Sequence, residues 1–455
     1  MKKRRAPPWA RQKRIGAREL ALQLLAAIES RNAYSDRLLE SRLRDAALAP
    51  RDAALVTTLV QGTLRHRALL DHHLSAFMGP RWDGIPLWIR QALRIGALQI
   101  LTLTRVPDSA AVDESVELAK KYGHPGTAGL VNAVLRRLAK GERAPLPDPA
   151  SDPASYLAVA HSHPKWLVDR WLARYGFEEA ERLLAAGNAE PRVSVRANAH
   201  RITPAALAEA LRAEGASPEP APNGGPVFVV APGYVAARSP LFRDGLLSLQ
   251  DEAEAVVAGL LGATPGDRAL DLCAAPGGKT SQIAEAVAPD GFVVAIERHT
   301  SRARALRSNL IERLRLPRAW TVCADGLAPP VRGSFARVLV DAPCSGLGVL
   351  RRRADARWRK EAGAIAQMAA LQGPLLESAS SLVKAGGAMV YSVCSLEPEE
   401  TDAIVEAFLS RHSEFQLDDA RPHLPPAFRG EDPCFRAFPH RHGTDGVFAA
   451  RLIRR

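Results

Sequence analysis

From residue 246 onward, short β-branched runs alternate with longer amphipathic stretches, and this alternation restricts the fold more than any other feature of the chain. Strand period followed by helix period, repeated, specifies a parallel sheet joined by crossover helices. The strands are expected at RALDLC, FVVAIE, AWTVCA, FARVLVDAP, AMVYSV and the terminal VFAARLI, with helices between them. Ligands of such sheets bind beyond the carboxyl ends of the strands. Those ends carry Cys273 to Lys279, Glu297, Asp325, Asp341 to Cys344, and Cys394. Residues 246–455 are therefore expected to be an α/β domain that holds the chemistry.

The preceding chain has a different rhythm. Leu20, Leu24 and Ile28 recur every fourth residue, and Val131, Val134, Leu135 and Leu138 repeat the stripe of a helix with one buried face. Residues 15–141 read as an all-helical domain. The stretch APLPDPASDPAS cannot extend that helix, so residues 142–157 read as a Pro-rich linker. Beyond it, the helical WLVDRWLARYG and EEAERLLAAG lead to strand-like PRVSVRAN, a helix AALAEALRAEG and strand-like PVFVVAP, a small α/β unit over 158–245. A length of 455 residues accommodates about three such domains.

Composition narrows the class. No apolar run approaches the roughly eighteen residues of a membrane span. MKKRRAPPWARQKR has no apolar segment after its charges, unlike a secretory signal, so a cytoplasmic location is expected. The five cysteines are widely spaced without a CxxC pair, which favours thiols over disulfides or zinc, and no HExxH spacing suggests a metal. The net charge of +12 points to a polyanion. Lys2, Lys3, Arg4, Arg5, Arg11, Lys13 and Arg14 stand in a tail, residues 1–14, that contains no acid and is expected to be disordered.

DLCAAPGGKT follows a strand and opens a helix, and Gly277 and Gly278 let the backbone fold tightly against a ligand. It is neither a GxGxxG fingerprint nor a P-loop, which weakens dehydrogenase and NTPase readings. Backbone N–H groups at a helix start can still hold a carboxylate, and Glu297 can accept hydrogen bonds from ribose hydroxyls.

Together DLCAAPGGKT, DAPCSGLG and YSVCSLEPEE, with GLLSLQDEA before and GTDGVF after, resemble the motifs of RNA cytosine-5 methyltransferases of the NOL1/NOP2/Sun family. LVQGTLRHRALLD and GLVNAVLRRLAKG resemble the NusB-like domain of its RsmB-type (Sun/Fmu) 16S ribosomal RNA members. The resemblance covers 15–455. It implies a helical NusB-like domain, a small RNA-binding domain and a Rossmann-like methyltransferase domain. It also implies S-adenosylmethionine contacts from Cys273, Ala274, Ala275, Pro276, Gly277, Gly278, Lys279, Glu297, Asp325 and Asp341. Departures are modest: Glu297 stands where many relatives have Asp, Leu347 and Val393 where Thr is frequent, and RRRAD lacks a Pro before its Asp.

C5 of a pyrimidine is too poor a nucleophile to take a methyl group until a thiolate has added at C6. In DNA cytosine methyltransferases a Pro-Cys pair supplies the sulfur, which by analogy nominates Cys344. The RNA family uses the YSVCS cysteine, so the resemblance implies Cys394 as nucleophile and Cys344 as the thiol assisting product release; a carboxyl group beside N3 and the exocyclic amine would favour the addition, and Asp341 is the candidate for it. A helix expected near Pro398 would favour a Cys394 thiolate, against the charges of Glu397, Glu399 and Glu400. Cys323 and Cys434 read as core residues. The basic tail, the small domain and Arg351 to Arg353 are candidate phosphate contacts. The implied substrate is a cytosine of 16S ribosomal RNA, and a monomer is expected. The rival readings are a transfer RNA methyltransferase, a DNA methyltransferase and a non-catalytic RNA-binding assembly factor.

Overall fold

The computed structural model describes residues 15–46 and 48–455, so the basic tail over 1–14 lies outside the described residues. The chain divides into two compact units. One runs up to Asn188 and also takes in Arg353–Lys360; the other comprises Ala189–Arg352 and Glu361–Arg455.

The first unit is helical: α1 (Ala17–Arg31), α2 (Ser35–Asp45), α3 (Pro50–Arg65), α4 (Arg67–Met78), α5 (Leu87–Thr102), α6 (Asp108–Tyr122), α7 (Pro125–Ala139), α8 (Pro153–Ala160) and α9 (Lys165–Ala186). The stripes found in the sequence face inward, with Leu20, Leu24, Ile28, Val131, Val134, Leu135 and Leu138 in one buried cluster. Burial of each such side chain contributes about 2 kcal/mol. Within that core the guanidinium of Arg94, 2% exposed, pairs with Asp71 at 2.7 Å and Glu29 at 2.6 Å. The Pro-rich stretch does not stay irregular to its end. Pro153 sits in the first turn of α8, where its missing N–H costs nothing, and Asp152 accepts a hydrogen bond from Ser155 N to start the helix.

The returning segment, 353–360, is part of this helical unit. Its Ala354 belongs to the core, and Asp355 accepts from Ser35 Oγ at 2.7 Å. Arg357 is fully buried and donates to Gly187 O at 2.8 Å, Ser162 O at 3.1 Å and Asn188 Oδ1 at 2.6 Å. Trp358 Nε1 donates to Leu64 O at 2.6 Å.

The second unit contains two sheets. The smaller is antiparallel with order β2-β3-β1-β4, from β1 (Val193–Ala197), β2 (Glu219–Pro220), β3 (Phe228–Val230) and β4 (Leu247–Leu249). Helix α10 (Pro204–Ala213), capped by Thr203, places Leu207 and Leu211 in the same buried cluster as Val195 and Leu247.

The larger sheet contains all six strands expected from the sequence: β5 (Arg268–Asp271), β6 (Phe292–Glu297), β7 (Ala319–Cys323), β8 (Phe335–Asp341), β9 (Val383–Val393) and β12 (Val447–Arg454). Two short strands escaped the sequence reading, β10 (Phe415–Asp418) and β11 (Phe435–Ala437). The order is β10-β12-β9-β8-β5-β6-β7, with β11 also paired to β12. Strands β5 to β9 are parallel, whereas β12 runs antiparallel to β9, so the sheet is mixed rather than parallel throughout. Successive residues feed opposite buried faces, Ala269 and Leu339 one cluster and Leu270, Val338 and Val340 the other. That two-sided burial explains why these strands read as continuous apolar runs. Helix α11 (Glu252–Leu260) leads into β5, and the connections between strands include α12 (Gly278–Val287), α13 (Thr300–Arg307), α14 (Gly363–Ser380) and α15 (Asp402–Leu409). Among the described residues, no helix is long and apolar enough to cross a membrane.

Candidate active site

Parallel pairing of β8 with β9 sets Asp341 beside Ser392, so the loops that follow emerge at the same edge. This brings the two cysteines together: Cys344 Sγ and Cys394 Sγ are 3.0 Å apart although fifty residues separate them. The hydrogen bond to Cys344 comes first among the causes that hold the Cys394 thiol well above its ordinary pKa, followed by burial and the charges of Cys344, Glu254 and Asp341. The helix expected near Pro398 does not supply an opposing field. Pro398–Glu400 is a single 3-10 turn, and α15 begins only at Asp402.

Asp341 Oδ1 accepts from Ser392 Oγ at 2.7 Å, and Oδ2 lies 2.8 Å from Lys279 Nζ. Lys279 also pairs with Glu254, a residue the sequence reading missed because nothing in GLLSLQDEAEA marks it. Burial disfavours the ammonium, yet the two carboxylates outweigh it and hold Lys279 above its usual range. Burial likewise raises Glu254 to about 7, with Lys279 opposing and Asp341 adding.

The β5 end forms the neighbouring part. Gly277 has φ +101°, and a Cβ there would stand 2.7 Å from Leu306 Cδ1, so the turn that opens α12 requires glycine. Asp271, 1% exposed, takes a hydrogen bond from Thr280 Oγ1 at 2.6 Å on one oxygen. Its Oδ1 is buried without a hydrogen-bond partner among the described residues. Burial raises its pKa to about 7. Glu297 is buried at the end of β6, accepts from His299 N at 2.9 Å and lies 3.3 Å from Arg302 Nη2. Asp325 accepts from Leu327 N at 3.0 Å and faces Arg298 at 3.4 Å. Burial first, then the Asp271 charge, pushes the Cys273 thiol far up.

Two expectations are corrected. Of Arg351 to Arg353, the first two are engaged by acids: Arg351 pairs with Asp251 at 3.0 Å and Asp445 at 2.7 Å, and Arg352 with the same acids at 2.8 and 2.6 Å, whereas Arg353 is exposed. These pairs tie the QDEA and TDG motifs to the loop after Cys344. Gly348 N adds a bond to Cys394 O at 3.0 Å, and a Cβ on Gly348 would meet Gly446 O at 2.0 Å. Second, Cys323 is exposed rather than buried, because β7 is the edge strand of the sheet. Cys434 is buried, and burial pushes its thiol up to about 12.

Comparison with known proteins agrees with this architecture. Residues 258–453 match the family described as 16S rRNA methyltransferase RsmB/F, residues 16–140 the NusB family, and residues 163–228 the ferredoxin-like domain of RsmF/B-like methyltransferases. The chain is 35% identical to the probable ribosomal RNA small subunit methyltransferase B of Bacillus subtilis, over 97% of this chain and 99% of that protein. It is 34% identical to ribosomal RNA small subunit methyltransferase B of Serratia proteamaculans, over 90% and 92%. A solved methyltransferase homologue from Pyrococcus horikoshii is similar with a TM-score of 0.57 and 26% identity, covering 68% of this chain and all of that one. The chain belongs to the RsmB/F family of 16S rRNA methyltransferases.

Proposed function

We propose that this protein transfers a methyl group from S-adenosylmethionine to C5 of a cytosine in 16S ribosomal RNA, through a transient bond between Cys394 Sγ and C6. The observation that carries this reading is the 3.0 Å approach of two thiols beside the Asp341 carboxylate and the Lys279 ammonium. A non-catalytic RNA-binding protein has no use for such a cluster.

The rim at the ends of β5, β6 and β7 fits the methyl donor. The orphaned Asp271 Oδ1 and the glycine turn at Gly277 leave polar backbone and a carboxylate for its amino-acid moiety, while Glu297 and Asp325 are acceptors for hydroxyls and amines. When bound, the donor supplies an electrophilic methyl group. The protein does the rest. Cys394 rests as a thiol, so its proton must leave as sulfur adds to C6; passed through the Asp341 carboxylate it ends on N3, which leaves Cys344 Sγ, 3.0 Å from Cys394 Sγ, free for the later C5 proton. In this reading Asp341, held by Ser392 and Lys279, bonds the N3 edge and exocyclic amine as electron density moves to C5. After C5 takes the methyl group, its proton passes to Cys344, the C5–C6 double bond re-forms and Cys394 is expelled. A stacked cytosine cannot reach these sulfurs, so the target must be single-stranded or turned out of its helix.

The test is trapping on RNA containing 5-fluorocytidine, whose C5 substituent cannot leave as a proton. Cys394→Ala should form no adduct and transfer no methyl group, whereas Cys344→Ala should accumulate a stalled adduct on ordinary RNA. The opposite assignment of the two phenotypes would exchange the roles, and methylation of duplex DNA or of transfer RNA in preference to 16S RNA would overturn the substrate.

A further inference from the structure

The two cysteine loops are held against one another by a buried carboxylate. Glu400 is fully buried in the turn after the second loop. Its Oε1 accepts from Ser345 N at 2.7 Å and from Gln372 Nε2 at 3.1 Å. Its Oε2 accepts from the hydroxyls of Ser345 and Ser395, which are themselves 3.2 Å apart. Ser345 follows Cys344 and Ser395 follows Cys394 in the chain, so one side chain grips the residue next to each sulfur.

The surroundings tighten the grip. Gln372, fully buried on α14, also donates to Pro343 O at 2.9 Å, which holds the residue before Cys344. Tyr391, on β9, donates its hydroxyl to Glu400 O at 2.7 Å and so sets the turn that carries the carboxylate. Four donors on two oxygens, from a strand-end loop, a second strand-end loop and a helix, over-determine the positions of all three. A buried carboxylate is costly unless its lone pairs are satisfied in this way.

We infer that Glu400 is the positioning residue that sets the distance between Cys344 and Cys394. It touches no substrate and acts only through Ser345 and Ser395. The inference deepens the proposed function and rests on it for the catalytic meaning of that distance, but the distance itself can be read without any methyl transfer.

The experiment uses the full chain and treats it with diamide, which takes the two thiol hydrogens, becomes the hydrazine and leaves a Cys344–Cys394 disulfide that peptide mass spectrometry quantifies. Glu400→Ala should slow this bond by about tenfold and lower kcat by about a hundredfold, the scale expected when reacting groups move by an ångström. KM for RNA should change by less than about twofold, because the RNA contacts are untouched. Glu400→Gln keeps an acceptor for Ser345 N and Gln372 but turns a donor toward the two hydroxyls, so it should restore part of both rates. A folded Glu400→Ala protein that closes the disulfide at the wild-type rate would overturn the inference. Should that variant fail to fold, Ser345→Ala with Ser395→Ala removes only the hydroxyl bonds; slower closure there supports the inference and unchanged closure overturns it. A wild-type protein that closes the disulfide but never methylates RNA C5 would refute the proposed function and leave the positioning claim standing.

Discussion

Lys279 Nζ lies 2.8 Å from Asp341 Oδ2 and pairs on its other side with Glu254, so one buried ammonium separates two carboxylates at the edge of the site. Lys279→Met would leave both acids facing each other without a cation. One would take up a proton, and Asp341 would lose the partner that aims its oxygen. Methyl transfer should fall by roughly 100-fold or more in kcat, the usual scale for deleting one preorganised electrostatic partner. Single-turnover kinetics at saturating RNA and methyl donor would measure it.

Asp271 gives the unliganded protein a pH signature. Its folded-state pKa, raised by burial from 3.8 to about 7, means that the folded chain holds this proton more tightly than the unfolded one. The resulting stabilisation is complete below about pH 4 and is lost as pH rises through 7. Glu254, raised to about 7, acts in the same direction. Thermal melting of the protein without methyl donor should therefore show a fall in Tm between pH 5 and 8, and Asp271→Asn should flatten part of it. A variant melting curve that keeps the full slope would assign the effect elsewhere.

Arg351 is expected to behave as a structural residue. Arg351→Ala removes one of the two guanidiniums shared by Asp251 and Asp445, both buried, leaving Arg352 alone to hold them, and should destabilise the second unit by about 2 kcal/mol, visible in urea unfolding. Burial and the neighbouring Asp251 already raise the Asp445 pKa, so losing a guanidinium there adds to an existing strain on its charge. If Arg351 neutralised an RNA phosphate, the variant would also reduce the slope of affinity against salt by about one. No such change is expected.

In the helical unit, Arg357 is the corresponding probe. Burial and the charge of Arg65 lower its pKa to about 9, yet its bonds to Gly187 O, Ser162 O and Asn188 Oδ1 hold it in place. Arg357→Ala leaves buried carbonyls without donors and should cost about 3 kcal/mol. Hydrogen exchange should detect faster opening at the end of α9 and the start of α4, and little change in β5 to β9.

The sequence carried what is local. The fourfold spacing of Leu20, Leu24 and Ile28 located α1, and six apolar runs located six strands, because helix and strand periods are written residue by residue. The two short strands β10 and β11 were missed, since three or four residues are too few to show a period. Motif spelling marked Cys344, Cys394, Asp341 and the DLCAAPGGKT turn, because each needs a particular residue type at a strand end. What the order of residues did not contain was pairing across distance. Arg351 and Arg352 read as a basic patch until folding placed Asp251 and Asp445 against them, and Glu400 read as a charge opposing a Cys394 thiolate until the two serines closed on it. The fate of a charge depends on which opposite charges and donors share its volume once water is removed, and only the tertiary structure decides that.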